Sequence, residues 1–275
     1  MQAEQTLRDG KADQALTELQ QEIRRNPADP KLRIFLFQLL AIQGQWERAL
    51  VQLNTAAELD PGALAMAQMY REALRCEALR TEVFAGKRSP LIFGQPPAWI
   101  GLLVEALRLT TQGQHAAAEQ LREQALEAAE AISGKVDGQP FEWLADADPR
   151  LGPTIECIVA GRYLWAPIQN IRQIVIEKPE DLRDLVWMPV HFTWSNGGDT
   201  VGLIPTRYPG SEHSQDEAIR MARKTLWVEA SPGTSLGLGQ RLFATDAGDY
   251  ALMDTREIVL NLSDEATAMP PTSDV

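Results

Sequence analysis

Apolar residues in the first half of the chain recur at helical spacing, whereas in the second half they fall in short alternating runs. Residues 32–42 are almost continuously apolar, which predicts a deeply packed helix. Residues 64–84 read as one long helix, with Leu64, Ala67, Tyr70, Leu74 and Ala78 spaced along it. Pro90, Pro96 and Pro97 then interrupt the chain before another helix over about residues 99–111. Further on, residues 171–177 are rich in Ile and Val and predict a strand, and residues 179–185 a short helical turn. Residues 191–195 and 200–204, separated by Asn196-Gly197, predict a hairpin with a type I′ turn. The Ser214-Gln215-Asp216-Glu217 spacing predicts a capped helix running to about Lys224. Residues 226–229, 240–245 and 251–260 complete the expected strands.

A period of 34 residues organises the helical part: Gly10, Ala15, Leu19 and Pro27 recur as Gly44, Ala49, Leu53 and Pro61. That is the period of the tetratricopeptide repeat, a pair of antiparallel helices. Glycine suits the left-handed turn between helices, alanine their close approach, and proline the end of each unit. A degenerate third copy reads as Gly113-Gln114 with Ala118 and Ala125. Stacked helix pairs leave a concave surface of the kind that holds a peptide or a helix. The plainer alternative is a scaffold for the second half.

The expected fold is therefore α+β in two parts. TPR-like helical repeats over residues 1–132 precede an antiparallel, β-rich α+β domain over 133–262, with turn chemistry at Ser133-Gly134 and Asp137-Gly138 between them. The sheet is expected to be antiparallel and partly closed, with two helical segments packed on it. Residues 263–275 read as a flexible tail.

A net charge of −12 argues against nucleic acid and anionic membranes as partners. No apolar run approaches the roughly 20 residues that span a bilayer, and the first ten residues lack the apolar stretch of a signal peptide, which predicts a cytoplasmic protein. Cys76 and Cys157, the only cysteines, read as buried reduced thiols.

Candidate chemistry is sparse. His115, His191 and His213 have no metal-ligand spacing, and neither a nucleophile elbow nor a Walker A sequence occurs, so no cofactor is implied. Gly237-Leu238-Gly239-Gln240-Arg241 opens like a dinucleotide fingerprint but continues with Leu242, and reads as turn or bulge glycines. Glu142, Asp146 and Asp148 are the one constellation open to an acid–base or metal-binding reading; the alternative is a turn start with Arg150 as counter-charge. Arg71 and Arg75, one helical turn apart, either meet an acidic partner or pair with Glu72 on a solvated face. Trp143 and Trp194 are either an aromatic binding surface or core.

Phe35-Leu36-Phe37-Gln38-Leu39-Leu40 followed by Gly44-Gln45-Trp46-Glu47-Arg48-Ala49-Leu50 resembles the N-terminal region of the ImpE/TagJ accessory proteins of bacterial type VI secretion. The resemblance continues through Tyr70-Arg71-Glu72-Ala73-Leu74-Arg75-Cys76-Glu77, Asp137-Gly138-Gln139-Pro140-Phe141-Glu142-Trp143 and Arg150-Leu151-Gly152-Pro153. It extends to Phe192-Thr193-Trp194-Ser195-Asn196-Gly197 and Leu203-Ile204-Pro205-Thr206-Arg207-Tyr208-Pro209-Gly210, and covers nearly the whole chain. It implies a non-catalytic accessory of the contractile apparatus, associated with the small sheath subunit and with the AAA+ ATPase that disassembles the contracted sheath. Arg71, Arg75, Trp143, Asp146, Arg207 and Tyr208 are the exposed polar or aromatic positions expected to bind a partner. The rivals are an enzyme or metal-binding protein built on residues 142–148 and a purely structural, self-assembling scaffold.

Overall fold

In the computed structural model, residues 1–262 are described. The expected tail, 263–275, lies outside them. Seven helices come first or nearly so: α1 (Gln2–Arg8), α2 (Ala12–Arg25), α3 (Pro30–Ile42), α4 (Trp46–Leu59), α5 (Leu64–Phe84), α6 (Ala98–Thr111) and α7 (His115–Ala128). The turns of the three pairs α1/α2, α3/α4 and α6/α7 are built alike. Gly10, Gly44 and Gly113 take φ of 83°, 67° and 74°. In each, the glycine N–H bonds to the carbonyl three residues back and the next N–H to the carbonyl five back, satisfying groups that a helix end leaves open. Ala15, Ala49 and Ala118 are fully buried where the helices cross. The third pair departs one turn later: Leu19 and Leu53 are replaced by Arg122, buried and held by Glu119 and Thr110.

Fourteen strands follow, one of them inside the helical region: β1 (Leu91–Ile92), β2 (Gly134–Val136), β3 (Gln139–Phe141), β4 (Leu144–Asp146), β5 (Thr154–Val159), β6 (Arg162–Pro167), β7 (Ile171–Ile176), β8 (Trp187–Trp194), β9 (Asp199–Pro205), β10 (Thr225–Ser231), β11 (Thr234–Gly239), β12 (Leu242–Thr245), β13 (Gly248–Ala251) and β14 (Glu257–Leu260). Nine form an open sheet in the order β1-β6-β5-β9-β8-β7-β14-β2-β3, antiparallel except where β1 joins β6. A three-stranded sheet, β13-β12-β4, and a two-stranded ribbon, β10-β11, complete the fold.

The α+β class is as expected, with corrections in detail. Ser214 does not open a helix to Lys224. Its hydroxyl accepts only from the Asp216 amide, and α8 is the short Glu217–Arg220, capped by Asp216. The β8–β9 hairpin turns through Ser195, Asn196 and Gly197, with positive φ at Gly197 alone, so it is not the type I′ turn that Asn-Gly suggests. Residues 251–260 split into β13 and β14 around a turn. Gly237 lies within a strand against the Tyr208 ring, where an added Cβ would come within 2.3 Å of it.

One apolar core runs across both parts. Leu19, Phe37, Leu53 and Tyr70 of the helices share it with Ile158, Trp165, Trp187 and Leu203 of the sheet. Trp187 sits against Tyr70 and Trp46, with ring centroids 5.7 and 6.0 Å away. A second core lies on the other side of the large sheet, around Ile174, Phe192 and Ile258.

Candidate protein-docking site

α3 is buried nearly all round because two partners claim it. α2 and α4 pack on one side, and on the other a segment of the sheet half packs against it. That segment is 180–185. Gln38 donates to Asp181 Oδ1 at 2.5 Å, and the Arg183 guanidinium lies 4.9 Å over the Tyr70 ring. A carboxylate of Asp184 accepts the Glu180 and Asp181 amides, which holds the turn.

A groove of about 680 Å³ lies between this segment, α1 and α3. Its floor is Leu7 of α1, Ile34 and Phe35 of α3, Leu182, Leu185 and Met221. Its rim is charged with both signs: Arg8, Lys31 and Arg223 face Glu4, Glu180 and Asp181 around the same opening. An apolar floor inside a mixed rim suits the anchor side chains of an amphipathic helix, and the volume falls in the ~300–1,000 Å³ range of ligand clefts.

Residues 210–224 make the groove rigid by fastening the α1–α2 turn. Glu217 accepts the amides of Ala12 and Asp13 at the positive start of α2, at 3.0 and 3.3 Å. Arg223 donates to the carbonyls of Leu7 and Arg8 at the negative end of α1, and Arg220 pairs with Asp13 at 3.0 Å.

Behind the groove, α5 is joined to the sheet by buried charge. Glu156 accepts from Arg80 Nε at 2.5 Å and from the Tyr163 hydroxyl at 2.6 Å, and pairs with Arg241, which also pairs with Asp146. Glu77 accepts the Trp187 indole N–H at 2.8 Å. Burial alone would raise the Glu156 carboxyl, but Arg80 and Arg241 hold it at about 2. Burial wins at Asp146, lifting it to about 6 against the pull of Arg241.

These contacts correct three expected binding positions. Asp146, Arg207 and Tyr208 are not exposed; they are at most 4% accessible. Asp146 is spent on Arg241, the Tyr208 hydroxyl bonds to Leu242, and Arg207 bonds to carbonyls. The acidic constellation is likewise tied up in internal contacts, with the Asp148 amide donating to Asp146 at 2.8 Å. Asp148 pairs with Arg150 at 2.6 Å, and Glu142 is exposed with its amide on Asp246. Among the described residues no three His, Cys, Asp or Glu side chains are grouped to hold a metal ion. Arg75 pairs with Glu72 at 2.9 Å and Arg71 with Asn54 at 2.6 Å, both away from the groove. Trp194 is core, stacked between Phe93 and Phe192. Trp143 is 40% exposed, and with Leu126 lines a second, apolar cleft of about 380 Å³. Sequence reasoning missed the groove residues Lys31, Ile34 and Leu182; the almost continuous apolar run of α3, too wide for a one-sided helix, is the signal that both its faces are covered.

Comparison with known proteins agrees with this architecture. The type VI secretion system accessory component TagJ of Pseudomonas aeruginosa is 53% identical over 258 residues, covering 94% of this chain and 90% of that protein. The chain belongs to the ImpE/TagJ family. The family described as ImpE protein matches residues 138–259. Protein VPA1032 from Vibrio parahaemolyticus, solved by X-ray crystallography, superposes with a TM-score of 0.87 at 26% identity, covering 96% of this chain and 99% of that one. The ImpE match includes the groove wall formed by 180–185, Met221 and Arg223, whereas α1 and α3 lie before it. The groove thus joins the part of the family that the ImpE description covers to the helices that precede it.

Proposed function

We propose that this protein is a non-catalytic accessory component of a type VI secretion system that docks an amphipathic helix of the small sheath subunit. The occupied site is the groove between α1, α3 and residues 180–185. Its apolar floor takes one face of the helix, and its two-signed rim sets the direction in which the helix lies. The groove is the observation that carries the reading: an apolar floor left open between α1, α3 and residues 180–185 inside a charged rim. The name of the P. aeruginosa relative supports the secretion system. In this role the protein works in the cytoplasm and adjusts how the AAA+ sheath-disassembly ATPase engages the sheath subunit. No helix of the described residues is long and apolar enough to cross a membrane, in keeping with that place of work.

The test is a titration of the full chain with a labelled peptide of the N-terminal helix of the small sheath subunit from its own secretion system. Saturable binding that is weakened by Ile34→Asp supports the reading. No binding at concentrations near ~1 mM, where association is worth only ~4 kcal/mol, rejects the groove.

A further inference from the structure

Leu226, Trp227 and Val228 are consecutive in β10, and all three are exposed, at 45%, 39% and 43%. Consecutive strand residues point to opposite faces: Leu226 and Val228 are open on one, and on the other Trp227 rests on the Tyr208 ring, centroids 5.7 Å apart, with its outer part exposed. The two strands of its ribbon differ in what lies outside them. β11 is tied to the body: Gly237 donates to Asp148 at 2.8 Å, Gly239 donates to Ser211 Oγ at 2.8 Å, and the Gly239 carbonyl accepts the Tyr208 amide at 2.9 Å. Since the main-chain groups of Gly237 and Gly239 face the body, those of Leu236 and Leu238 face β10. They bond there to their partners Val228 and Leu226. The N–H and C=O groups of Thr225, Trp227 and Glu229 therefore point away from β11, and among the described residues no other element pairs with them.

Such an edge is normally blunted by charge, proline or a bulge. Here the charge of Glu229 and the register shift between Glu229 and Ser231 both lie at the far end, and Thr225–Val228 carries no charge. The free edge is self-complementary. Antiparallel pairing about a two-fold axis at Trp227 sets Trp227 opposite itself and Thr225 opposite Glu229, so all the outward groups bond to one another. The same register sets Leu226 opposite Val228 and continues the aliphatic face that Leu236 and Leu238 share with them. It also brings Lys224, which pairs with Asp216 of its own chain, toward Glu229 of the other strand, whereas a parallel arrangement would set like ends together.

We propose that the outer edge of β10 is a self-association surface, and that two copies of this chain pair there antiparallel to make one four-stranded sheet. This surface is separate from the helix-docking groove, so either reading can fail alone.

The experiment is sedimentation equilibrium of the full chain, with disulfide trapping beside it. The expected result is a concentration-dependent mass rising to twice that of the chain, returned to the single-chain mass by Val228→Lys with the circular dichroism spectrum unchanged. Trp227→Cys is expected to cross-link to its own copy under mild oxidation, because directly opposed strand residues lie ~5.5 Å apart, within disulfide reach. Val201→Cys, 60% exposed on β9, is expected not to. The native Cys76 and Cys157 are buried and do not compete. A single-chain mass up to about 100 μM overturns the proposal. So does a dimer that Val228→Lys leaves intact, or a Trp227→Cys chain that stays uncross-linked.

Discussion

Arg207 Nη1 donates to the carbonyl oxygen of Ile42 at 2.6 Å, fastening the last turn of α3 to the strand region of the chain. The same guanidinium reaches the Arg220 carbonyl at 2.5 Å and the Ala41 carbonyl at 3.3 Å. Burial lowers this arginine to about 10, with the nearby charges of Glu212 and Glu77 working the other way. It remains charged at neutral pH, held by carbonyl dipoles and the negative end of a helix. Arg207→Met is expected to destabilise the protein by about 3 kcal/mol, since three buried carbonyls lose a charged donor together. Urea unfolding measures this, and an unchanged midpoint would refute it.

The buried carboxylates predict opposite pH responses. Glu156 is held at about 2, below its unfolded value, so its contribution is complete above the unfolded pKa and is lost as pH falls through about 2. Asp146, raised to about 6, does the reverse: its contribution is complete below the unfolded pKa and is lost as pH rises through about 6. Glu156→Gln is expected to lower stability at pH 7 by about 3–5 kcal/mol, because Arg80 and Arg241 lose their shared anion. It should also flatten the decline in stability between the unfolded pKa and about 2. Denaturant midpoints across that range test both; a parallel decline in variant and wild type would contradict the assignment.

Substitutions at the groove separate its floor from its rim. Ile34→Asp places a charge on the apolar floor and Lys31→Glu reverses a rim charge without touching the core. The first is expected to weaken binding of the sheath-subunit helix by more than tenfold, about 1.4 kcal/mol. The second should act mainly on association rate and its salt dependence. Arg75→Ala, away from the groove and paired with Glu72, is expected to leave both unchanged. Stopped-flow association at two salt concentrations distinguishes these cases.

Separating the chain at residue 132 removes Trp187, Trp165 and Leu203 from the core they share with α3 and α5. It also strips Arg80 of Glu156. The 1–132 fragment is therefore expected to melt well below the full chain and with a broad transition. A sharp melt at the full-length temperature would show that the helices stand alone.

Much of this fold was legible in the sequence because its signals are local. The 64–84 helix matches α5 at both ends, and Gly10 and Gly44 mark turns that only a left-handed residue completes comfortably. The missed strands β2 to β6 are mostly short, and Gly134 and Pro140 within them look like turn residues. Buried charge was harder to see. Glu77 and Arg80 share a helix face with Tyr70 and Ala73, but their partners Trp187 and Glu156 lie 110 and 76 residues away. A carboxylate or guanidinium reads as surface until the opposite charge is placed beside it. Arg207 and Tyr208 were expected outside for the same reason. Their distinctive stretch marks a junction between the two parts, where packing demands are strict.

The clasp at the α1–α2 turn sets an order of events. Glu217 lies 205 residues beyond the Ala12 amide that it caps. A ribosome adding about 5–20 residues per second takes roughly 10 to 40 s to cover that distance. Throughout that interval the first helical hairpin exists without its fastening, although β5 to β9 are made before Glu217. The N-terminus is thus the first part synthesised and among the last secured. A product released short of Glu217 carries an open first hairpin, which sets an unfinished chain apart from a finished one.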